Sequence, residues 1–437
     1  MTGKDQGKKQ DTSRRGFLKA TAIAGAAAAA APAILRGEEV KRAFKVALIG
    51  CGGRGSDALI NNHHQAAKNL NKKLGWNLEI QVVATGDFVK GKAEGVGKRY
   101  GLGADKCFGG ADCYKKVIEA GPEIVLMAQP PVFRPLHFEA CIAAGKHVFF
   151  EKPSAVDPVG VRRVIKAGEA AKAKKLVVVA GTQRRHSKGY NERWRDIKDG
   201  ALGRVMGGRV AWNMGWIFSN KDINATKPEQ LVGSGAWQLW SEMSGDHICE
   251  QHVHNLDIAN WYLDAHPLSA AGFGYRIARK AGNMYDFFSG DLEYPKGVHI
   301  HSMCRQIGGC WDWVGEEFTY EKNKPNGFKN ETPDPYEEPG YEGGDYVAEH
   351  AHLLWTLVKE KELNEAQNVA WATAVAIMIR ESAYSGQRIS WADMYDKLNP
   401  KDPKKWFDLQ LSPTAEDFEK GDVKMLKDGD IRAPGKA

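Results

Sequence analysis

Five short, almost wholly apolar runs divide the stretch between Phe44 and Ala180, with helical patterns between them. They are Lys45-Val46-Ala47-Leu48-Ile49, Glu79-Ile80-Gln81-Val82-Val83-Ala84, Ile124-Val125-Leu126-Met127-Ala128, His147-Val148-Phe149-Phe150 and Leu176-Val177-Val178-Val179-Ala180. Strands this short and this continuously apolar have both faces covered, which requires a parallel sheet with helices on each side. The first half of the chain is therefore expected to form a doubly wound α/β domain.

The first run ends in Gly50-Cys51-Gly52-Gly53-Arg54-Gly55, and a helix is expected from Ser56. In this spacing the first glycine permits the tight turn, the second admits a pyrophosphate and the third lets helix pack close to strand. The helix amino terminus adds free N–H groups and partial positive charge. Asp87 closes the second run, where a carboxylate accepts from the adenosine ribose hydroxyls and favours NAD over NADP. Lys90 and Lys92 follow, which keeps NADP open. Glu151-Lys152-Pro153 follows the fourth run and puts a lysine at the strand end where a nicotinamide ring would lie.

Beyond about residue 186 the runs alternate apolar and polar residues with few helices between them, at Val205 to Asn213, Ser269 to Arg276, Met284 to Leu292, Val298 to Arg305 and Trp311 to Tyr320. This is the texture of a large, mostly antiparallel open sheet. At 437 residues two domains are expected. Their bounds are 44–185 and 186–437, with helices over 350–359 and 368–383 and the helix near 366–384 packing back on the first domain. One exposed face of such a sheet points to a homodimer or homotetramer.

The formal charge of +7 is concentrated at the start, where residues 1–33 hold six basic and two acidic side chains. Elsewhere basic residues are scattered, so no nucleic-acid surface is expected. Ser13-Arg14-Arg15-Gly16-Phe17-Leu18-Lys19, an alanine-rich segment and Ala31-Pro32-Ala33 describe a twin-arginine export signal, followed by a linker at 34–43. Membrane contact is expected only through that signal, and the localisation is periplasmic. The seven cysteines lack paired short spacings, so neither a disulfide framework nor a zinc site is expected. Cys107 with Cys113, or Cys304 with Cys310, remains open as a small-loop disulfide.

Read together, these residues resemble the Gfo/Idh/MocA family, the glucose–fructose oxidoreductase and inositol dehydrogenase group. The resemblance rests on Ala128-Gln129-Pro130-Pro131 with His137, on Ala144 to Pro153 and on Gly181-Thr182-Gln183-Arg184-Arg185. It extends through Glu250-x-x-x-His254-x-x-Asp257 and Leu363 to Val369, and so over nearly all of 44–395. It implies a Rossmann domain holding NAD or NADP through Gly50 to Gly55, Asp87, Gln129, Pro130, His137, Glu151 and Lys152; outside the cytoplasm, where free nicotinamide is scarce, a tightly bound cofactor reoxidised by a second substrate is expected. It implies catalytic roles for Lys152 and His254. Glu250 stands where many members carry aspartate.

The chemistry suits those residue types. Carbinol oxidation needs a base of near-neutral pKa, which histidine supplies. On a helix Glu250 and His254 share a face at i and i+4, so Glu250 can orient the imidazole or bind a substrate hydroxyl. Lys152 stabilises alkoxide-like charge. His252 and His254 point different ways, which argues against a metal. Arg185, Trp216, Trp237, Trp240 and Asp257 are the candidates to line the carbohydrate or polyol site, with indole faces suited to sugar rings. The same constellation serves redox-assisted glycoside hydrolysis or epimerisation, and a non-catalytic sugar-binding protein is the third reading.

Overall fold

The computed structural model describes residues 40–217, 225–233, 235–334, 343–396, 403–428, 431–432 and 434–435. The expected export signal lies outside them. The first domain is a six-stranded parallel sheet in the order β3-β2-β1-β4-β5-β6. Its strands are β1 (Lys41–Ile49), β2 (Asn77–Asp87), β3 (Cys107–Gly109), β4 (Ile124–Met127), β5 (His147–Phe150) and β6 (Val178–Ala180). Alternate residues feed two separate cores. Val125, Met127, Val148 and Phe150 pack on one side of the sheet, and Ile124, Leu126 and Phe149 on the other. The sheet is covered by α1 (Ile60–Leu74), α2 (Lys90–Arg99), α3 (Cys113–Glu119), α4 (Arg134–Ala143) and α5 (Pro158–Ala173).

Two boundaries differ from the sequence reading. The linker expected at 34–43 gives its last residues to β1, because Lys41, Arg42 and Ala43 pair with Asn77, Leu78 and Glu79 of β2. That end of the strand is held by backbone bonds with little burial, so hydrophobic pattern does not reveal it. The helix after the glycine loop opens with a π-helical turn, Arg54–Leu59, before α1.

After α6 (Lys188–Lys198) comes the second domain, a six-stranded sheet in the order β11-β7-β10-β9-β8-β12. It comprises β7 (Val205–Met214), β8 (Ser269–Tyr275), β9 (Phe287–Tyr294), β10 (Val298–Gln306), β11 (Trp313–Tyr320) and β12 (Ile389–Ser390). Only β7 and β10 pair in parallel; the other pairs are antiparallel. Its covered face packs on α7 (Val253–Leu263) and α9 (Ala366–Ser385), while Phe273 stands 72% exposed on the open face.

Helix α8 (Asp345–Val358) begins five residues before the expected start, because its first turn faces the glycine loop. The alanine-rich α9 is buried nearly all round, and it joins the two domains. An added Cβ at Gly168 of α5 would lie 2.6 Å from Ala366, and Ser154 N donates to Thr373 Oγ1 at 3.1 Å. All seven cysteines are free, six of them buried, so the two candidate disulfides are absent.

Candidate functional site

Gly50 has φ +94°, and an added Cβ there would lie 2.3 Å from the backbone nitrogen of Gln129. An added Cβ at Gly55 would lie 1.9 Å from the Gly50 oxygen. Those two glycines are required by the protein's own packing. Gly52 and Gly53 are different, since added Cβ atoms would meet no protein atom within 4 Å. The loop thus leaves bare space over its middle, at the carboxyl ends of β1 and β4 where the strand order reverses. That crevice is where open α/β sheets bind ligands, and the bare backbone at Gly52 and Gly53 suits the approach of a dinucleotide's pyrophosphate.

Asp87 sits at the crevice with Oδ2 accepting from Cys51 N at 2.7 Å and Oδ1 from Val89 N at 2.9 Å. It shapes the glycine loop as well as facing the ligand space. Gly50, Asp87, Phe88, Gln129, Pro130, Phe133 and His137 line a single cleft. His137 is stacked on Tyr114 at 4.2 Å, and its Nδ1 lies 3.2 Å from Gln129 Nε2. Burial lowers its pKa to about 3, so it is a neutral ring bracing Gln129.

Arg54, expected at the phosphates, turns to the protein instead. Its Nε donates to Glu151 Oε1 at 2.5 Å, its Nη2 lies 3.3 Å from Glu349 Oε1, and its guanidinium lies 4.4 Å from the Tyr346 ring centroid. Glu151, also expected at the cofactor, is correspondingly tied to Arg54. The physical reason is burial, since both glutamates are inside the protein and need a cation.

Lys152, next along the chain, points to the second domain. Its Nζ donates to the Glu250 carbonyl oxygen and lies 3.8 Å from Glu250 Oε2. Burial lowers the pKa of Lys152, opposed by the charges of Glu250 and Glu151. Burial raises that of Glu250, opposed by Lys152 and Arg134.

The turn carrying Glu250 is π-helical, Ile248–His252, and α7 follows. The expected α-helical i, i+4 face is therefore interrupted by a wider turn. Glu250 faces Lys152, and His254 is positioned by stacking on Trp212 at 5.7 Å between centroids. Its Nδ1 is buried without a hydrogen-bond partner. Burial, then the charges of Lys152, Arg184 and Arg54, holds the His254 pKa well below the usual histidine value. Near pH 7 this imidazole is neutral, and the same burial and charges make it a weaker proton acceptor than a free histidine.

Several substrate candidates are placed elsewhere. Arg185 and Asp257 form a buried bidentate pair at 2.7 and 2.9 Å, so each neutralises the other rather than facing a sugar. Trp240 is 4% exposed inside an apolar cluster with Val132, Leu239 and Met243. Trp237 packs against the edge of that cluster. Trp216 lies over Arg279 at 5.3 Å.

The group that surrounds His254 was not singled out in the sequence. Arg184 lies 5.5 Å from the Trp212 ring centroid and pairs with Glu316, which also accepts from Tyr190 OH at 2.9 Å and Asn255 Nδ2 at 2.7 Å. In Arg184-Arg185 the sequence offers two adjacent arginines, and only the fold sends the first toward the site.

A Rossmann sheet with an open phosphate cradle, joined to a half-open sheet that brings a histidine and a carboxylate to a strand-end lysine, defines a two-domain dinucleotide-binding protein. Residues 44–181 match the model described as the oxidoreductase family, NAD-binding Rossmann fold, and residues 190–308 match the GFO/IDH/MocA C-terminal domain. The chain belongs to the Gfo/Idh/MocA oxidoreductase family.

Curated relatives include the inositol 2-dehydrogenase of Azotobacter vinelandii, 29% identical over 224 residues, covering 50% of this chain and 58% of that protein. The inositol 2-dehydrogenase of Burkholderia lata is 33% identical over 221 residues, covering 50% and 54%. The chain thus spans little more than half the length of these relatives.

Among solved structures, levoglucosan dehydrogenase in complex with NADH and levoglucosan superposes with a TM-score of 0.61 at 15% identity, covering 80% of this chain and 99% of that one. The aldose-aldose oxidoreductase of Caulobacter crescentus, complexed with glycerol, gives 0.58 at 17% identity, covering 80% and 100%. At these identities the likeness is one of fold.

Proposed function

We propose that the protein is an NAD(P)-dependent oxidoreductase acting on a CH–OH group of a sugar, sugar derivative or cyclic polyol. The observation that carries this reading is the meeting of Lys152, Glu250 and a neutral His254 at the carboxyl end of β5, beside the phosphate cradle. A bound nicotinamide supplies the hydride acceptor or donor. The chain's own residues do the rest.

His254 takes the hydroxyl proton during oxidation and returns it during reduction. The Lys152 ammonium donates to the reacting oxygen and stabilises its developing negative charge. Glu250 keeps Lys152 charged and aimed. Asp87 at the end of β2 favours NAD over NADP. The inositol and levoglucosan dehydrogenases named above support a ring carbinol as substrate.

The reading extends to export through the arginine pair Arg14-Arg15, with a periplasmic site of action, and to a homo-oligomer formed over the open sheet face around Phe273. The test is mass spectrometry of nucleotide released by denaturing the purified protein, followed by polyol and sugar screens for reduction of added NAD or NADP. Nucleotide binding with net reduction by a free sugar or polyol is expected. Failure of both cofactors to bind overturns the proposal, and aglycone release without net redox change selects the glycoside-cleaving alternative.

A further inference from the structure

The crevice that Asp87 faces is roofed by the far end of the chain. Arg162 Nη1 donates to Phe407 O at 2.6 Å, and Leu411 N donates to Asp157 Oδ2 at 2.9 Å. The chain then enters a short helix, α10 (Ala415–Lys420), pinned by Glu416 to Arg163 at 2.8 Å and by Glu419 to Lys115 at 3.1 Å. Between those pins Phe418 points inward. It is 5% exposed and packs edge-on against Phe88 at 5.6 Å and Phe133 at 5.0 Å.

Phe88 and Phe133 are walls of the cleft that also contains Gly50, Asp87 and Pro130. Beyond α10 the chain crosses to the second domain, where Gly282 N donates to Asp428 Oδ1 at 2.6 Å. A segment of the second domain closes in from another side. Lys92 Nζ donates to Gly233 O at 2.8 Å, and Val232 lines the same cleft.

We infer that residues 407–428 are a strap that retains the dinucleotide. This rests on the cofactor reading above, in which the carboxylate at the end of β2 marks the adenosine half. That half lies in the cleft walled by Phe88 and Phe133, the two rings that Phe418 packs behind. The strap is fastened to both domains, so the adenosine end leaves only when the strap lifts. The nicotinamide end, at Lys152, stays on the side where substrate exchanges. One dinucleotide then serves successive turnovers, and a second carbonyl or carbinol substrate restores its redox state.

The test uses the full chain loaded with NADH, whose release is followed by loss of tryptophan-to-NADH energy transfer after a chase with excess NAD. Phe418→Ala removes the roof. Glu416→Lys combined with Glu419→Lys repels the strap from Arg163 and Lys115 while leaving Phe418 intact. Both variants are expected to release NADH at least about tenfold faster, the kinetic signature of lost enclosure. Amides of 415–421 in the unmodified protein are expected to gain hydrogen-exchange protection when NADH binds.

Unchanged release in both variants, with NADH still bound, overturns the strap and leaves the cofactor reading standing. Slower release and tighter binding overturn it too, because the strap would then compete with the nucleotide. Failure of the unmodified protein to bind NADH overturns the cofactor reading and this inference with it.

Discussion

The glycine loop offers a direct separation of fold from function. Gly50→Ala places a methyl 2.3 Å from Gln129 N in a backbone with φ +94°. The left-handed conformation alone costs about 1–2 kcal/mol, and the clash with backbone of β4's end adds to it. Gly52→Ala meets nothing within 4 Å, and its φ lies outside the left-handed range. Reduced freedom of the unfolded chain makes that variant neutral or more stable by roughly 0.4–1 kcal/mol.

Its methyl nevertheless fills space over which a pyrophosphate would approach the backbone. Losing one or two charge-assisted N–H bonds there, at roughly 1.5–3 kcal/mol each, weakens dinucleotide binding by about 3 kcal/mol, or about a hundredfold in Kd. The assay pairs thermal unfolding with NAD titration by calorimetry. Gly52→Ala is expected to unfold within about 2 °C of the parent and to bind NAD poorly. Gly50→Ala is expected to lose stability first. A Gly52→Ala protein that binds NAD like the parent refutes the argument that the bare space is a phosphate cradle.

Three further outcomes are expected. Lys152→Met is expected to lower kcat by about 10² to 10³-fold. Because burial lowers the Lys152 pKa and Glu250 opposes that shift, kcat of the parent should fall on an alkaline limb below 10.5, and Glu250→Gln should move the limb to lower pH; a limb that persists in Lys152→Met would assign it to another group. In acid, His63, His137 and His252 are each held neutral to about 3, while their unfolded forms take up protons near 6.5. Their contribution to stability is thus present above 6.5 and lost as pH falls toward 3, at about 1.4 kcal/mol per histidine per pH unit. Asp246, raised to about 6, binds its proton earlier in the folded state and offsets roughly one of the three between 6 and 3.8. Denaturant midpoints that do not fall between pH 6.5 and 5 would count against this balance.

Both sheets were legible because their strands carry strong patterns, continuous for β4 and β5 and alternating for β9 and β10. The three-residue β3 and the exposed start of β1 were not, since backbone pairing with β2 forms them rather than side-chain burial. Lys152, Glu250 and His254 stood out in the sequence by residue type, by spacing and by the family resemblance. Their mutual arrangement was not, because a π-helical turn redirects Glu250 to Lys152. Trp212, the ring beside His254, was one of seven tryptophans between residues 210 and 315. Composition ranks such rings equally, and only the register of β7 against α7 selects among them.

Glu151 and Lys152 explain how the two halves of the site are coupled. Successive residues of an extended strand end point to opposite sides. Glu151 reaches Arg54 in the glycine loop, and Lys152 reaches Glu250 in the second domain. Arg54 in turn meets Glu349 of α8, whose carboxyl is pushed well up by burial and by the nearby Glu151 charge. Arg54 is thus committed to two buried carboxylates, and its charge is not free for a ligand at the glycine loop. Attraction for a pyrophosphate is therefore left to backbone N–H groups and the helix end. The dipeptide consequently holds the phosphate cradle, α8 and the catalytic turn in one register, so that placing Arg54 correctly is also what places Lys152 for the proposed chemistry.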